Sequence, residues 1–286
     1  MCPSQNGEEA MPIIDFRYRP STRESLDSFI NHPVYSEYMK VTPFASKQAR
    51  SLEDCVEELH RLDIVKAVYT GRDCSGNYAF PDSNNLVLDC MRKHPDLFIG
   101  FYGFDPHRKM DALRGFRTAV TRDGMRGASI EPCMAGLRAD HALYYPLYAA
   151  CCEMDVPVIV TAGLAPHMPT ISLDPMDPRY IDNVARDFPE LRILISHGGY
   201  PWIIEAMAVA QRNRNVYLDF STCLGKPLAN VLIEAAGSSL SDKVVFASAN
   251  PFVDVSRAVE AFAGLPFAPD IRERIAYSNG CAFLGL

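Results

Sequence analysis

The chain has 286 residues, of which 48% are hydrophobic, so it can bury a large core and is neither disordered nor a small disulfide-bonded protein. The formal net charge is −7 and no basic run is present, which excludes nucleic acid as a partner on electrostatic grounds. No stretch approaches eighteen uninterrupted apolar residues, so we expect no membrane span.

The nine cysteines are odd in number and contain no CxxC or CxxxC spacing, which fits neither a disulfide framework nor a zinc knuckle. Reduced thiols are typical of the cytosol. The first ten residues, MCPSQNGEEA, lack the basic and apolar regions of a secretion signal. We therefore expect a cytoplasmic protein.

Short apolar runs alternate with segments of helical period along the chain. The runs are PIIDFRY (12–18), DIVKAVYT (63–70), LFIGFYGF (97–104), MRGASIE (125–131), VPVIVTA (156–162), LRILISH (191–197), NVYLDFS (215–221) and DKVVFAS (242–248). The helical segments include SLEDCVEELHRL (51–62), DALRGFRTAV (111–120), YYPLYAACCEM (144–154), PRYIDNVARDF (178–188), PWIIEAMAVAQR (201–212) and SRAVEAFAG (256–264). Several of these begin with Ser, Asp or Pro, as helices do.

Eight alternations of a continuous apolar strand with a helix predict an α/β fold, the closed parallel (β/α)8 TIM barrel. A doubly wound open sheet is the alternative. Because no linker interrupts the pattern, we expect one domain over residues 1–286, with residues 1–11 as a flexible N-terminal tail. The longest irregular segments are 20–48 and 163–177, and we expect both to cover the active face. In a TIM barrel that face lies at the carboxyl ends of the strands.

The runs also resemble a known family. PIIDFRYRP, HPDLFIGFYGFDP, YYPLYAACCEMDVPVIVTAG, FPELRILISHGGYPW, NVYLDFS and VVFASANPF, in this order, are similar to the amidohydrolase-related branch of the metal-dependent hydrolase superfamily. That branch includes aminocarboxymuconate-semialdehyde and resorcylate-type decarboxylases and the pyrone dicarboxylate lactonase. The resemblance spans nearly the whole chain and implies the same barrel.

The resemblance also implies a metal site whose ligands are replaced here. Arg17 and Arg19 stand where the family has the two histidines of its DxHxH motif. Thr161 replaces the fifth-strand histidine and Ala249 the eighth-strand aspartate, whereas the sixth-strand His197 is retained. A catalytic zinc needs about three protein ligands, and two guanidinium groups repel a divalent cation. We therefore predict no metal and no cofactor.

Arg17 and Arg19 are two residues apart in a predicted strand, so both side chains should point with Asp15 toward the barrel mouth. Guanidinium groups bind carboxylate or phosphate through two parallel hydrogen bonds. Arg72, after the second run, is a third candidate. The pattern predicts a site for a small anionic, carboxylated substrate. The opposing interpretation is that an arginine only pairs with a carboxylate inside the barrel.

His197 ends the sixth run on the inward side, and a neutral imidazole there can accept a proton at neutral pH. Two carboxylates, Glu131 after the fourth run and Asp219 in the seventh, are the other catalytic candidates. Either could orient His197, balance an arginine or activate water. The neutral candidates for binding substrate are Thr161, Tyr200 and Asn250.

Three functions follow. The first is a metal-independent hydrolase of a small carboxylated cyclic compound, a lactone or cyclic amide, with Arg17 and Arg19 binding the anionic group and His197 as general base. The alternative is a non-oxidative decarboxylase of an aromatic or unsaturated acid, in which His197 protonates a carbanion. The third is an inactive barrel that binds an anionic metabolite or a protein partner. A homodimer is the base-rate expectation for its assembly.

Overall fold

Eight parallel strands, neighbours in chain order, form the barrel wall in the computed structural model, which describes residues 11–163 and 168–286. The strands are β1 Ile13–Asp15, β2 Ile64–Thr70, β3 Phe98–Gly103, β4 Gly127–Ile130, β5 Val158–Thr161, β6 Ile193–Ser196, β7 Val216–Asp219 and β8 Val244–Val245. Each predicted run contains one strand, so the TIM-barrel prediction is confirmed. The predicted tail, apart from Met11, lies outside the described residues.

The barrel closes just beyond β1 and β8. The N–H of Phe16 donates to the carbonyl of Phe246 at 2.9 Å, and Tyr18 forms a parallel bridge with Asn250. β1 ends at Asp15, earlier than the predicted run. The Asp15 carboxylate accepts the backbone N–H of Arg17 at 3.0 Å, so the chain bends there. Residues 17 and 19 therefore follow the strand instead of lying within it.

Helices alternate with the strands and pack outside them. The α-helices are α1 Arg23–Ile30, α2 Ser36–Val41, α3 Leu52–Arg61, α4 Ser75–Tyr78, α5 Asn84–Lys93, α6 Met110–Thr121, α7 Pro132–Ala135, α8 Tyr145–Glu153, α9 Arg179–Asp187, α10 Ile203–Arg212, α11 Ala229–Ala236, α12 Val255–Ala263, α13 Pro269–Glu273 and α14 Asn279–Leu284. The 3-10 turns include Pro33–Tyr35, Pro43–Ser46, Asp174–Met176 and His197–Gly199. In α3 the Ser51 hydroxyl caps the N–H of Asp54 at 3.0 Å, as the sequence predicts.

Segment 20–48 is helical where the sequence predicts an irregular connection, so that prediction is wrong. It contains α1 and α2, each followed by a 3-10 turn. The aromatic ring of Phe29, in α1, packs at 4.8 Å from Phe252 and 5.5 Å from Tyr35 between ring centroids. These helices have eight and six residues, too short for periodicity to reveal, and tertiary contacts stabilise them. In segment 163–177, residues 164–167 lie outside the described part.

The interior of the barrel changes from apolar to polar toward its mouth. Its apolar floor consists of Ile14, Phe16, Val68, Ile99, Phe101, Ile159, Leu194, Val245, Ala247, Phe283 and Leu284. Nearer the carboxyl ends the inward residues are polar, including Thr161 on β5 and Ser196 on β6, both buried. The floor excludes water from below, and the polar layer above it supports the site.

The eight cysteines within the described ranges are all free thiols. Searched over the same ranges, the structure contains no helix with both the length and the apolar character needed to cross a bilayer.

Gly103, at the end of β3, supports the position of Arg72. A Cβ on Gly103 would lie 2.3 Å from the Arg72 nitrogen and 2.5 Å from the carbonyl carbon of Gly71. Because backbone atoms cannot move aside as a side chain can, we expect Gly103→Ala to lower the free energy of unfolding by about 1–3 kcal/mol in urea denaturation. In the control, Gly264→Ala, the new Cβ meets no atom nearer than 3.6 Å. Equal losses for both variants would contradict this account.

Candidate active site

A cavity of about 370 Å³ opens at the carboxyl ends of the strands. Six residues predicted from the sequence line it together: Arg17, Arg19, Arg72, Glu131, His197 and Tyr200. The lining also includes Tyr35, Tyr38, Thr42, Met168, Lys226 and Phe252. Three predicted residues, Thr161, Asp219 and Asn250, are buried beneath this lining and contact the residues above them.

Three guanidinium groups surround one carboxylate at the mouth. Arg17 Nη2 and Arg19 Nη2 lie 3.8 and 3.7 Å from Glu131 Oε1, and Arg72 Nη1 lies 4.0 Å from Oε2. All four side chains are at most 5% exposed. We call these residues the arginine cluster. The distances exceed those of good hydrogen bonds, and the cluster keeps two positive charges in excess, so pairing with Glu131 alone does not account for it.

Arg17 and Arg19 are held from below by the polar layer. Arg17 Nη2 donates to Thr161 Oγ1 at 3.0 Å, and its Nη1 lies 3.3 Å from Ser196 Oγ. The Asn250 amide donates to the carbonyl of Arg19 at 2.6 Å. The structure thus places Thr161 and Asn250, predicted to bind substrate, where they position the two arginines.

Arg72 is fixed by aromatic rings. Its guanidinium carbon lies 4.1 Å from the ring centroid of Phe29 and 3.9 Å from that of Phe80. Nη1 donates to the Tyr35 hydroxyl at 2.7 Å. Stacking between two rings favours the cation and restricts its motion, so this arginine presents its donors from a defined position.

Asp219 and Ser221 set the orientation of His197. The Ser221 hydroxyl donates to Asp219 Oδ1 at 2.5 Å and lies 2.8 Å from His197 Nδ1. Because the hydroxyl proton points to the carboxylate, Nδ1 must carry the imidazole proton and donate to Ser221. Nε2 then carries the lone pair, which no group in the described part of the chain donates to, and His197 lines the cavity. Asp219 also accepts the backbone N–H of His197 at 2.8 Å, so among its predicted roles the geometry supports orienting His197.

The electrostatic surroundings keep His197 neutral. Burial, and after it the positive charge of Arg17, hold the pKa of His197 well below its usual range. The imidazole is therefore unprotonated at neutral pH and can act as a general base. Its backbone lies in the left-handed region at φ 63°, followed by Gly198 at φ 60°, so the chain turns sharply beyond β6.

The residues at the mouth do not fit a divalent metal. The positions that the resemblance assigns to ligands carry two guanidinium groups, Thr161 and Ala249, which leaves His197 as a nitrogen donor. Within residues 11–163 and 168–286, no group of three or more His, Cys, Asp and Glu side chains is arranged to hold a metal ion. A catalytic metal requires such a set.

The chain belongs to the amidohydrolase family, because the family model matches residues 36–286. Among solved structures it is similar to an uncharacterised TIM-barrel protein from Bordetella bronchiseptica, with 29% identity, a TM-score of 0.81, and coverage of 96% of this chain and 100% of that chain. No curated protein sequence matches it.

The fold is also similar to those of two decarboxylases. The 2,6-dihydroxybenzoate decarboxylase from Rhizobium has 17% identity and a TM-score of 0.72, with 96% of this chain and 99% of that chain covered. The 5-carboxyvanillate decarboxylase from Novosphingobium aromaticivorans, solved with manganese and a nitrobenzoic acid, has 16% identity and a TM-score of 0.71, with 98% of each chain covered. At such identities the similarity establishes the fold alone.

Sequence reasoning missed several residues of the site. Ser221 sits in the seventh run, but a serine near a strand end gives no signal that it will bridge Asp219 and His197. Lys226 lies in the loop after β7, where its cavity position depends on how the loop folds back. Tyr38 was missed with the helices of segment 20–48. A cation soon after a strand end, as in STCLGK, is the one signal that could have identified Lys226.

Burial raises the pKa of Asp15, beneath the arginine cluster, to about 6. The pKa of Asp15 in the unfolded chain is about 3.9. The protonated carboxyl group therefore stabilises the folded state fully below pH 4, and this stabilisation is lost as pH rises through 6. Relative to wild type, Asp15→Asn should gain on the order of 3 kcal/mol in free energy of unfolding between pH 4 and 7.5. Urea denaturation of both proteins at several pH values measures this gain in the free energy of unfolding. For the control, Gly264→Ala, which removes no titratable group, we expect a constant difference; a constant difference for Asp15→Asn would refute the assignment.

Proposed function

We propose that this chain is an enzyme that hydrolyses a small carboxylated ring compound, a lactone or cyclic amide. The observation that supports this most is the neutral imidazole of His197, which lines the same cavity as the arginine cluster. A base and an excess of positive charge in one pocket suit the attack of water on a polarised carbonyl.

The arginine cluster would bind the substrate's carboxylate. Arg19 Nη2 and Glu131 Oε2 are buried and, within the part of the chain that the structure describes, have no hydrogen-bond partner. A buried donor without a partner carries a free-energy penalty, which a carboxylate at Arg19 would remove. Charge-assisted hydrogen bonds of this kind are among the strongest in proteins, and a site shielded from water strengthens them.

In the hydrolytic step, His197 Nε2 takes a proton from water while the water oxygen bonds to the carbonyl carbon. The C=O electron pair moves onto the carbonyl oxygen, where a guanidinium group of the arginine cluster stabilises the negative charge. When the pair returns, the ring C–O or C–N bond breaks. The leaving atom receives the proton from the imidazolium, which is strongly acidic because the pKa of His197 is lowered. The product is the ring-opened acid, and His197 is neutral again.

Decarboxylation is the second candidate, and the comparisons support it more than hydrolysis, because structurally similar proteins with named activities decarboxylate hydroxylated benzoates. The aromatic lining formed by Tyr35, Tyr38 and Phe252 also suits a flat ring. Two features of the site disfavour it. Arginines that hold the ground-state carboxylate do not by themselves accelerate its loss. The proton of neutral His197 is on Nδ1 and is donated to Ser221, so Nε2 has no proton to give a carbanion.

Product analysis separates the two reactions. We expect mass spectrometry to show a carboxylated lactone gaining one water in the presence of the enzyme, and 2,6-dihydroxybenzoate not losing carbon dioxide. His197→Gln should lower the hydrolysis rate by about 10²- to 10⁴-fold. The control His60→Gln changes an exposed histidine on α3 and should leave the rate unchanged. Carbon dioxide as the product, with the same dependence on His197, would establish the decarboxylase instead. Turnover unaffected by His197→Gln would contradict both mechanisms.

A further inference from the structure

We infer that a second, apolar cavity beside the active-site cavity binds an apolar substituent of the substrate. This side cavity lies where the loops after β7 and β8 meet α12, and its walls include Phe220, Phe246, Ala258 and Phe262. The inference rests on the proposed function, because it takes the arginine cluster as the anchor of the substrate's carboxylate. It narrows the substrate class to carboxylated rings that carry an alkyl or aryl group.

The side cavity is apolar and has fixed walls. Its volume is about 240 Å³, and eight of its eleven lining residues are apolar. The rings of Phe246 and Phe262 pack with their centroids 5.2 Å apart, and Phe220 stacks on Phe267 at 6.1 Å. An apolar cavity of about 150 Å³ is large enough to hold benzene, so the side cavity has room for a group of that size or larger.

The polar residues of the side cavity do not call for a polar ligand. Ser248 is buried and already bonded, because its hydroxyl oxygen accepts the backbone N–H of Asn250 at 3.0 Å and lies 3.4 Å from the carbonyl oxygen of Arg17. Arg257, at the outer rim, is exposed to solvent. A hydrocarbon group therefore suits the interior of this cavity better than a charged one.

Two side chains connect the side cavity to the active site. Thr222, after β7, and Val253, after β8, line both cavities, and each is half-buried. The pairing of β7 with β8 ends at Asp219 and Val245. Within the described ranges no backbone hydrogen bond joins residues 220–228 to residues 246–254. A substituent can therefore pass from one cavity to the other between these two loops.

Both loops have unusual backbone conformations at this boundary. Thr222 has φ 60° and Ala249, which also lines the active-site cavity, has φ 64°. The left-handed region is unfavourable for a β-branched residue such as threonine. Such conformations persist where the surrounding structure holds them, and they are concentrated at ligand-binding sites. The boundary between the cavities thus has the local character of a binding site.

The two cavities together match a ligand with one charged end and one apolar end. The arginine cluster is built from residues that follow β1, β2 and β4, whereas the side cavity lies beside β7 and β8. A carboxylate at the cluster and a hydrocarbon group in the side cavity would fix the direction in which the ring lies. Each methylene that the side cavity buries should tighten binding about three- to fourfold.

Binding of simple probes tests this inference. Calorimetry gives the Kd values of benzoate, 3-butylbenzoate and 4-butylbenzoate, and we expect one butylbenzoate to bind wild type at least about tenfold more tightly than benzoate. Ala261→Trp, at an exposed position that lines the side cavity alone, should abolish this advantage without changing benzoate binding. The matched control is Ala263→Trp, exposed on the same helix but outside the lining, and it should change nothing.

The outcomes distinguish this inference from the proposed function. The side cavity is refuted, while the arginine cluster stands, if the butylbenzoates bind no better than benzoate or if Ala261→Trp weakens all three probes equally. A crystal structure of the complex locates the butyl chain: a chain beside Phe262 supports the inference, and a chain beside Tyr38 overturns it. If Arg17→Met leaves benzoate binding intact, the arginine cluster is not the anion site and the proposed function fails. Absence of binding by every probe would overturn both.

Discussion

Three buried guanidinium groups share one carboxylate at the barrel mouth, and the rest of the site depends on keeping these charges in place. Burying cations is unfavourable unless other groups compensate them. Here Thr161 and Asn250 support the first two arginines, and the faces of the Phe29 and Phe80 rings hold the third. The compensation is incomplete, because the cluster keeps an excess of positive charge. We propose that an anionic guest completes the compensation.

The same charges select the protonation state of the base. Burial, and after it the charge of Arg17, lower the pKa of His197, and Asp219 fixes its tautomer through Ser221. Burial raises the pKa of Asp219, yet its hydrogen bonds and the Arg17 charge oppose that effect. The proposed anion site and the neutral base thus both depend on buried arginines, together with the burial of His197 itself. In the proposed function, the arginines would supply positive charge at the positions where the family resemblance places metal ligands.

The sequence predicts the barrel well because its physical signals are strong. Continuous apolar strands separated by amphipathic helices give few alternatives to a TIM barrel, and the carboxyl ends of those strands converge, so Arg17, Glu131 and His197 could be grouped in advance. The helices of segment 20–48 could not be predicted, since short helices depend on tertiary packing. The role of Thr161 could not be predicted either. Its position in the strand directs its side chain inward, but that side chain is short and lies beneath the longer Arg17, which it supports.

The central proposal is that the mouth of this barrel binds an anion at the positions where the family resemblance places metal ligands. The most direct test is a crystal structure of the protein grown with both manganese chloride and benzoate, with data collected at the manganese absorption edge. The account predicts carboxylate oxygens about 2.7–2.9 Å from the guanidinium nitrogens of Arg17 and Arg19, with no anomalous peak beside them. A manganese peak coordinated by His197, with both arginines turned away from the cavity, would contradict it.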